Sequence, residues 1–117
     1  MVYFANYLKF MERGRTEWLR ELGVEQDQLR RDRGLVFTVT GTEVKFRRPA
    51  RFNDELRVRT ALLSRGRVRF SLSQDVFRAG EAEALVTAQC QAACVDAESF
   101  RPRRIPGGIL DGIRPRA

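Results

Sequence analysis

The sequence contains no histidine. A Ser-His-Asp or Cys-His catalytic site, a histidine general base and a histidine-ligated metal are therefore excluded, because each of them depends on an imidazole. Any chemistry must use carboxylates, hydroxyls, thiols, backbone N–H groups or an external cofactor. No metal site and no cofactor is predicted.

Cysteine is also scarce, with only Cys90 and Cys94 in the chain. In an extended strand these two residues point to the same face and lie about 13 Å apart. That separation is too large for a disulfide. We interpret them as small core residues, and reduced thiols favour a cytoplasmic protein.

Long apolar stretches are missing as well, since no segment approaches 18 consecutive apolar residues. Lys9 and Glu12 interrupt the N-terminal segment before the apolar run of a signal peptide could form. The sequence therefore predicts a soluble, cytoplasmic chain without a membrane span. Its 117 residues are typical of one domain, which we assign to residues 1–117.

Positive charge is abundant by contrast. The formal net charge is +7 and the isoelectric point about 10.6. Of the 22 basic residues only Lys9 and Lys45 are lysine, so the other 20 are arginine, and they are spread along the whole chain. A nucleic-acid partner is not predicted, because no zinc-finger, recognition-helix or RNA-stacking motif accompanies the charge. A small ligand rich in phosphate also suits this charge.

The first 22 residues predict one long amphipathic helix. From Tyr7 onward the large apolar side chains share one stripe of a helix of period 3.6, with Gly14 between them: Phe10, Met11, Trp18 and Leu22. Gly23 is placed to end the helix, since glycine adopts the left-handed conformation without steric cost. The polar segment 24–34 predicts a helical extension or an exposed connector.

From Leu35 the hydrophobic period changes to 2, which is typical of β-strands. The first strand, residues 35–46, changes parity at Gly41 and so predicts a β-bulge there. Three further strands follow, from Glu55 to about Leu63, from about 67 to 76 and from about 82 to 96. The last is nearly uncharged on both faces, which predicts a central or interface strand covered on both sides.

These elements predict an α+β fold in which one long central helix is wrapped by an antiparallel sheet of four strands. A short helical turn at Ile109 to Ile113 is the only further element expected in the tail. One helix cannot cover both faces of a long sheet. The uncovered face therefore predicts a homodimer or homotetramer.

Three ordered blocks carry a family pattern. They are VYFANYLKFMERGRTEWLRELG at 2–23, VKFRRPARFNDELRV at 44–58, and an ending with Pro102 and Arg104-Ile105-Pro106. Together they resemble the 4-hydroxybenzoyl-CoA thioesterase-like group of hotdog-fold proteins, especially the acyl-CoA thioesterases associated with the bacterial Tol-Pal system. The resemblance implies the hotdog fold and hydrolysis of acyl-CoA thioesters.

The resemblance also implies a catalytic Asp, acting as nucleophile or as general base for water. In the family it lies a few residues before the segment that matches Val2 and Tyr3, on the family's first strand. Here that position and that strand would lie before Met1. Two explanations remain open, a misplaced start or an inert relative, and an in-frame Asp-x-x-Gly upstream would distinguish them.

The same resemblance implies an oxyanion donor at the N-terminus of the long helix, where unpaired amides favour developing negative charge. Phe4 occupies this position, so its backbone N–H is the candidate donor. Many Tol-Pal-type relatives have histidine there, and no role is assigned to the phenylalanine ring. Tyr3 and Asn6 match the motif and are candidate substrate contacts, although Asn6 could equally cap the helix.

Tyr7 and Glu12 complete the candidate catalytic set. Tyr7 matches the family motif, and its alternative is a tyrosine packed in the core. Glu12 is a candidate substitute base, and its alternative is an ion pair with Arg15 on the helix surface.

For the CoA phosphates the resemblance points to basic residues near the turn between the second and third strands. Arg65, Arg67 and Arg69 lie there, and guanidinium groups bind phosphate bidentately. The alternative is a solvated basic turn. The leading prediction is an acyl-CoA thioesterase without metal or cofactor, and the other is a non-catalytic acyl-CoA or acyl-carrier binding protein that has lost the acid.

Overall fold

The computed structural model describes residues 4–49 and 55–109, with side chains from Tyr7 onward in the first range. Its elements follow in the order α1 Phe4–Glu21, α2 Gln26–Arg33, β1 Leu35–Phe46, β2 Leu56–Arg65, β3 Arg69–Arg78 and β4 Ala84–Asp96. The strands form one antiparallel four-stranded sheet in the order β1-β4-β3-β2. The α+β architecture predicted from the sequence is confirmed.

Helix α1 packs on the sheet through Tyr7, Met11 and Leu19, which are spaced by four and eight residues and so lie on one face. Two residues of the predicted stripe are exposed instead, Phe10 by 37% and Leu22 by 40%. Each helical residue turns by about 100°, so Phe10 is rotated away from Met11 toward solvent. It lines a groove of about 490 Å³ between α1 and β2, whereas Leu22 follows the last helical residue.

Gly23 ends α1 as predicted, with a left-handed φ of 84°. Its N–H donates to the carbonyl of Arg20 at 2.9 Å, and the N–H of Val24 donates to that of Leu19 at 2.9 Å. The polar segment that follows forms a separate helix, α2, which buries Leu29 against the core. The sequence left this helix open because Leu29 is the one buried residue in a helix that is otherwise polar and charged.

The bulge predicted in β1 is confirmed, because the register with β4 shifts between Val39 and Gly41. The central position of β4 is also confirmed, since β4 pairs with β1 on one side and with β3 on the other. Within one copy of the chain the outer face of β4 is uncovered at its middle, where Gln89 and Gln91 are exposed, so cover of this face by a second subunit stays a prediction.

The core lies between the helices and the inner face of the sheet, in two clusters. One lies under the C-terminal half of α1 and under α2, and it includes Leu19, Leu29 and Phe70. The other lies under the N-terminal half of α1, and it includes Tyr7, Met11 and Val86. Cys90 and Cys94 are free and buried, so their interpretation as core residues is confirmed.

Neither α1 nor α2, the helices of the described chain, is long and apolar enough to cross a membrane. Two sequence expectations fall where the structure is not described. Asp54, which the sequence predicts to lie in a turn, is in the gap between the described ranges, and the helical turn expected at Ile109 to Ile113 extends past Ile109, the last described residue.

Candidate functional site

The N-terminal end of α1 is the first component of the candidate site. The helix begins at Phe4, so the Phe4 N–H is among the four that have no acceptor within the helix. These groups carry the positive end of the helix dipole, which attracts developing negative charge. The start of α1 therefore offers backbone N–H groups without a helical acceptor at the position of the predicted donor.

Tyr7, one turn into α1, lies in the core. Its side chain is 4% exposed, and its ring meets that of Phe46 edge-on with centroids 5.4 Å apart. This contact fixes the N-terminal end of α1 beside the C-terminal end of β1. Of the other candidates in this segment, Tyr3 lies outside the described residues, and the side chains of Phe4 and Asn6 are not described.

Glu12 is exposed and lies far from the helix N-terminus. Eight residues separate it from Phe4, which is about 12 Å along the helix axis. Within the described residues Glu12 forms no ion pair with Arg15. The Arg15 guanidinium instead donates from Nη1 to Oε1 of Gln74 at 2.8 Å.

Gln74 was not singled out in the sequence. It is 0% exposed, and its Nε2 donates to the Met11 carbonyl at 2.8 Å and to Thr60 Oγ1 at 3.1 Å. The sequence signal that could have identified Gln74 is its place in the alternating pattern of β3, where it takes an inward position between Leu72 and Val76. A polar residue at an inward position needs a partner, since a buried unpaired amide is costly.

Gly14 allows α1 to approach the sheet closely at the same place. A Cβ at this position would lie 2.9 Å from Cγ1 of Val58 and 3.3 Å from Nε2 of Gln74. Side chains do not tolerate the first of these distances. Glycine is therefore required for the observed separation of α1 from β2.

The second component is a basic cleft, defined here by Arg65, Arg67, Arg104 and residues 105–107, with a volume of about 380 Å³. Arg65 donates from Nη2 to the Ile109 carbonyl at 3.2 Å, and the Ile105 N–H donates to the Arg67 carbonyl at 2.8 Å. These bonds attach the C-terminal segment to the turn between β2 and β3.

Only two of the three predicted phosphate-binding arginines line the basic cleft. Arg69 is exposed but does not line it, and Arg104 takes its place. The sequence signal for Arg104 was the Arg-Ile-Pro ending, which was used for the family pattern and not for the site.

The two components lie toward opposite ends of the sheet. Arg65 pairs across the strands with Phe70, whereas Val76 and Val86 occupy the row that contains Phe46. Six residues of β3 separate the rows, which corresponds to about 20 Å. The structure therefore does not place the basic cleft next to the N-terminus of α1 within one copy of the chain.

The two thiols are free and buried, and neither has the lowered pKa that is typical of a nucleophilic cysteine. Burial raises the pKa of the Cys90 thiol, with Arg15 acting in the opposite direction, and burial likewise raises that of Cys94 against the effect of Arg103. A thiol needs a lowered pKa to react as thiolate near neutral pH. Among the described residues there is also no group of three cysteines or carboxylates that could hold a metal ion.

Comparison with known proteins identifies relatives of the whole chain. Residues 1–113 match the family described as the thioesterase-like superfamily. The acyl-CoA thioester hydrolase YbgC of Escherichia coli O157:H7 is 34% identical over 110 residues, which cover 94% of this chain and 81% of that protein. The acyl-CoA thioesterase YbgC of Haemophilus influenzae is 32% identical over 106 residues, covering 91% and 76%.

Solved structures agree with these relatives. The probable thioesterase from Bartonella henselae is 35% identical and superimposes with a TM-score of 0.81, over 90% of this chain and 85% of that one. A fold shared at this identity extends the similarity from local motifs to the arrangement of the helix on the sheet.

Proposed function

The chain belongs to the thioesterase-like superfamily, and from this premise we propose that it is an acyl-CoA thioesterase, which hydrolyses an acyl-CoA to a carboxylic acid and free CoA. The observation that carries the proposal is 34% identity to an acyl-CoA thioester hydrolase over 94% of the chain. The family and the hotdog fold predicted from the three sequence blocks are both confirmed.

In the proposed reaction the thioester carbonyl lies against the N-terminus of α1. As water attacks, negative charge develops on the carbonyl oxygen, and the Phe4 N–H donates to it. An amide held in place before the reaction stabilises this charge without reorganisation, and one such donor contributes about 3 kcal/mol of transition-state stabilisation. The start of α1 at Phe4 supports this role, because the first N–H groups of a helix have no acceptor within it.

The water-activating carboxylate is assigned by the family resemblance to a position before Met1. Glu12 is the candidate substitute within the chain, but its distance of about 12 Å from Phe4 along the helix axis is too large for both groups to act on one thioester. A general base must lie within hydrogen-bond reach of the proton that it removes. We therefore place the base upstream of α1.

For the CoA phosphates we propose the basic cleft, with Arg67 and Arg104 as the exposed cations. Its charge and its volume of about 380 Å³ suit a phosphate-bearing group, and guanidinium forks bind phosphate with two parallel hydrogen bonds. Arg69 is the weaker candidate, because it lies outside the cleft.

We further propose that the chain acts in the cytoplasm as a homodimer or homotetramer. The long strand β1 lies at one edge of the sheet, and it carries two exposed apolar side chains, Val39 at 46% and Phe46 at 50%. A second copy that covers this edge would bury them. We propose that the second copy also supplies the basic cleft that serves each α1 N-terminus, since within one copy their rows of the sheet are about 20 Å apart.

The test is a hydrolysis assay on the purified chain and on a version extended by the residues encoded in frame before Met1. Short, long and aromatic acyl-CoAs are offered, and free CoA is detected with a thiol reagent. We expect turnover in the extended version and its loss when the upstream Asp is changed to Asn.

A non-catalytic binding protein would give a different pattern. Calorimetry would then show acyl-CoA binding by both versions, with no release of free CoA from any substrate. Absence of both turnover and binding would contradict the proposed function altogether.

A further inference from the structure

Gln74 is the only polar side chain of the described residues that is fully withdrawn from solvent, at 0% exposure. Both N–H groups of its amide have acceptors, since Nε2 donates to the Met11 carbonyl and to Thr60 Oγ1. Its Oε1 accepts from Arg15 Nη1. One side chain of the sheet thus holds α1 at two points one turn apart.

Helix α1 packs closely against the sheet at this place. Gly14 lies between the two points, and a Cβ there would come within 2.9 Å of Val58 and 3.3 Å of Gln74. Apolar packing alone tolerates small slides of a helix, because dispersion and the hydrophobic effect have little directionality. A hydrogen bond to a backbone carbonyl at 2.8 Å does not tolerate such slides, because it weakens steeply with distance and angle.

We propose that Gln74 is a positioning residue for thioester hydrolysis, fixing α1 on the sheet and thereby the place of the Phe4 N–H. This inference rests on the proposed function. Met11 lies seven residues from Phe4, about 10 Å along a stiff helix, so a tilt or slide at Met11 is transmitted to the N-terminal turn. Misplacement of a catalytic group by about 1 Å can lower the rate about 100-fold.

The test compares Gln74→Met with a matched control, Leu72→Val. Methionine has a length similar to that of glutamine and remains apolar, so it fills the space but cannot bond to Met11 or Arg15. Leu72 is on the same face of the same strand and is 1% exposed. Its replacement loosens the core without removing a polar contact to α1.

For Gln74→Met we expect kcat for the best acyl-CoA to fall by about tenfold or more, with KM within about twofold, because an oxyanion donor acts in the transition state. For Leu72→Val we expect a fall in Tm but a kcat within about twofold of the parent. Equal losses of kcat in the two variants, or no loss in Gln74→Met, would overturn the proposal.

Hydrogen–deuterium exchange separates this inference from the proposed function. In Gln74→Met the backbone amides of α1 should exchange at least about tenfold faster than in Leu72→Val, because the helix is held less firmly. Unchanged exchange in α1 would overturn the positioning role whatever the activity. A parent that hydrolyses no acyl-CoA would overturn the proposed function and the catalytic consequence, whereas fast exchange in the variant would still demonstrate the anchoring.

Discussion

At the residue scale, the structure distinguishes arginines that line the basic cleft from arginines that do not, although the sequence alone does not tell them apart. Arg104→Ala should raise KM for an acyl-CoA by about fivefold and leave kcat unchanged, since an exposed charge–phosphate contact contributes up to about 1 kcal/mol. The measurement is steady-state kinetics at low and high salt, with a smaller effect expected at high salt because exposed charges are screened.

Arg69→Ala is the control. The substitution removes the same charge, but Arg69 does not line the basic cleft. Its KM should stay within about twofold of the parent, as expected when only long-range attraction is lost. If KM rose more in Arg69→Ala than in Arg104→Ala, the result would contradict the basic cleft as the phosphate site and would indicate a site on the outer face of the sheet.

The site could be predicted from the sequence only in part, for reasons visible in single residues. Phe4 was identified through the family resemblance, and the structure adds that α1 begins at this residue, while its role as donor stays a prediction. Gln74 was missed because its importance depends on Met11, 63 residues earlier in the chain. Arg104 was missed for the same reason, since its proximity to Arg65 is created by a fold that returns the C-terminal segment to the turn between β2 and β3.

At the element scale, the contact between α1 and β2 depends on Gly14. Gly14→Ala gains about 1 kcal/mol of intrinsic helix propensity but places a methyl group against Val58 at 2.9 Å. Overpacking of this kind costs about 1–3 kcal/mol. We expect a net loss of about 1 kcal/mol in the free energy of unfolding, measured by urea denaturation.

A double-mutant cycle identifies the cause. Val58→Ala removes the methyl group that clashes, so the cost of Gly14→Ala should shrink or change sign in the Val58→Ala background. Equal costs in both backgrounds would contradict a clash at this contact. Thr16→Ala, at another position of the same helix, provides the reference for a propensity change without a clash.

The turn after β4 makes a second prediction at this scale. The N–H groups of Ser99 and Glu98 donate to Asp96 at 3.0 Å each. These bonds, that of Ser99 first, lower the pKa of Asp96, and Arg103 adds to the effect. The carboxylate thus stabilises the turn in its ionised form, and the stabilisation is lost as pH falls through the lowered pKa.

Asp96→Ala should therefore lower Tm at pH 7. The difference from the parent should be complete above the ordinary aspartate pKa of about 4 and should shrink at lower pH. Thermal melts at several pH values check this, with Glu98→Ala as a control that keeps both donors. A difference independent of pH would exclude the ionised carboxylate as the source.

Elements with a strong local hydrophobic pattern could be predicted from the sequence, whereas a helix with a single buried apolar residue could not. Strand β1 and its bulge follow from the parity change at Gly41, and Gly23 ends α1 by its own conformational freedom. Helix α2 was left open, because eight residues with one buried leucine give little periodicity. The pairing of β1 with β4 was not predicted, since the register of distant strands has no local signature.

At the scale of the whole molecule, the proposed assembly can be tested through β1. Val39→Lys should convert the oligomer to a monomer at micromolar concentration, because a lysine on an edge strand opposes pairing with another chain. Light scattering after gel filtration measures the mass. The monomer should also lose activity if a second copy supplies the basic cleft.

Glu43→Lys is the matched control, since it introduces the same side chain at an exposed position on the same strand. Glu43 lies opposite Gln89 in the register of β1 with β4, and both residues are exposed on the outer face of the sheet. Dissociation by Glu43→Lys and not by Val39→Lys would place the interface on the outer face, as the uncovered sheet first indicated.

The bond between Gln74 and Met11 also has a consequence during protein synthesis. Helix α1 is made before all four strands, and its anchor follows 63 residues after Met11. A ribosome that adds about 5–20 residues per second needs roughly 3–13 s to cover that interval. For those seconds the apolar face of α1 has no sheet to pack on, so the nascent chain is expected to need a chaperone more than its small size suggests.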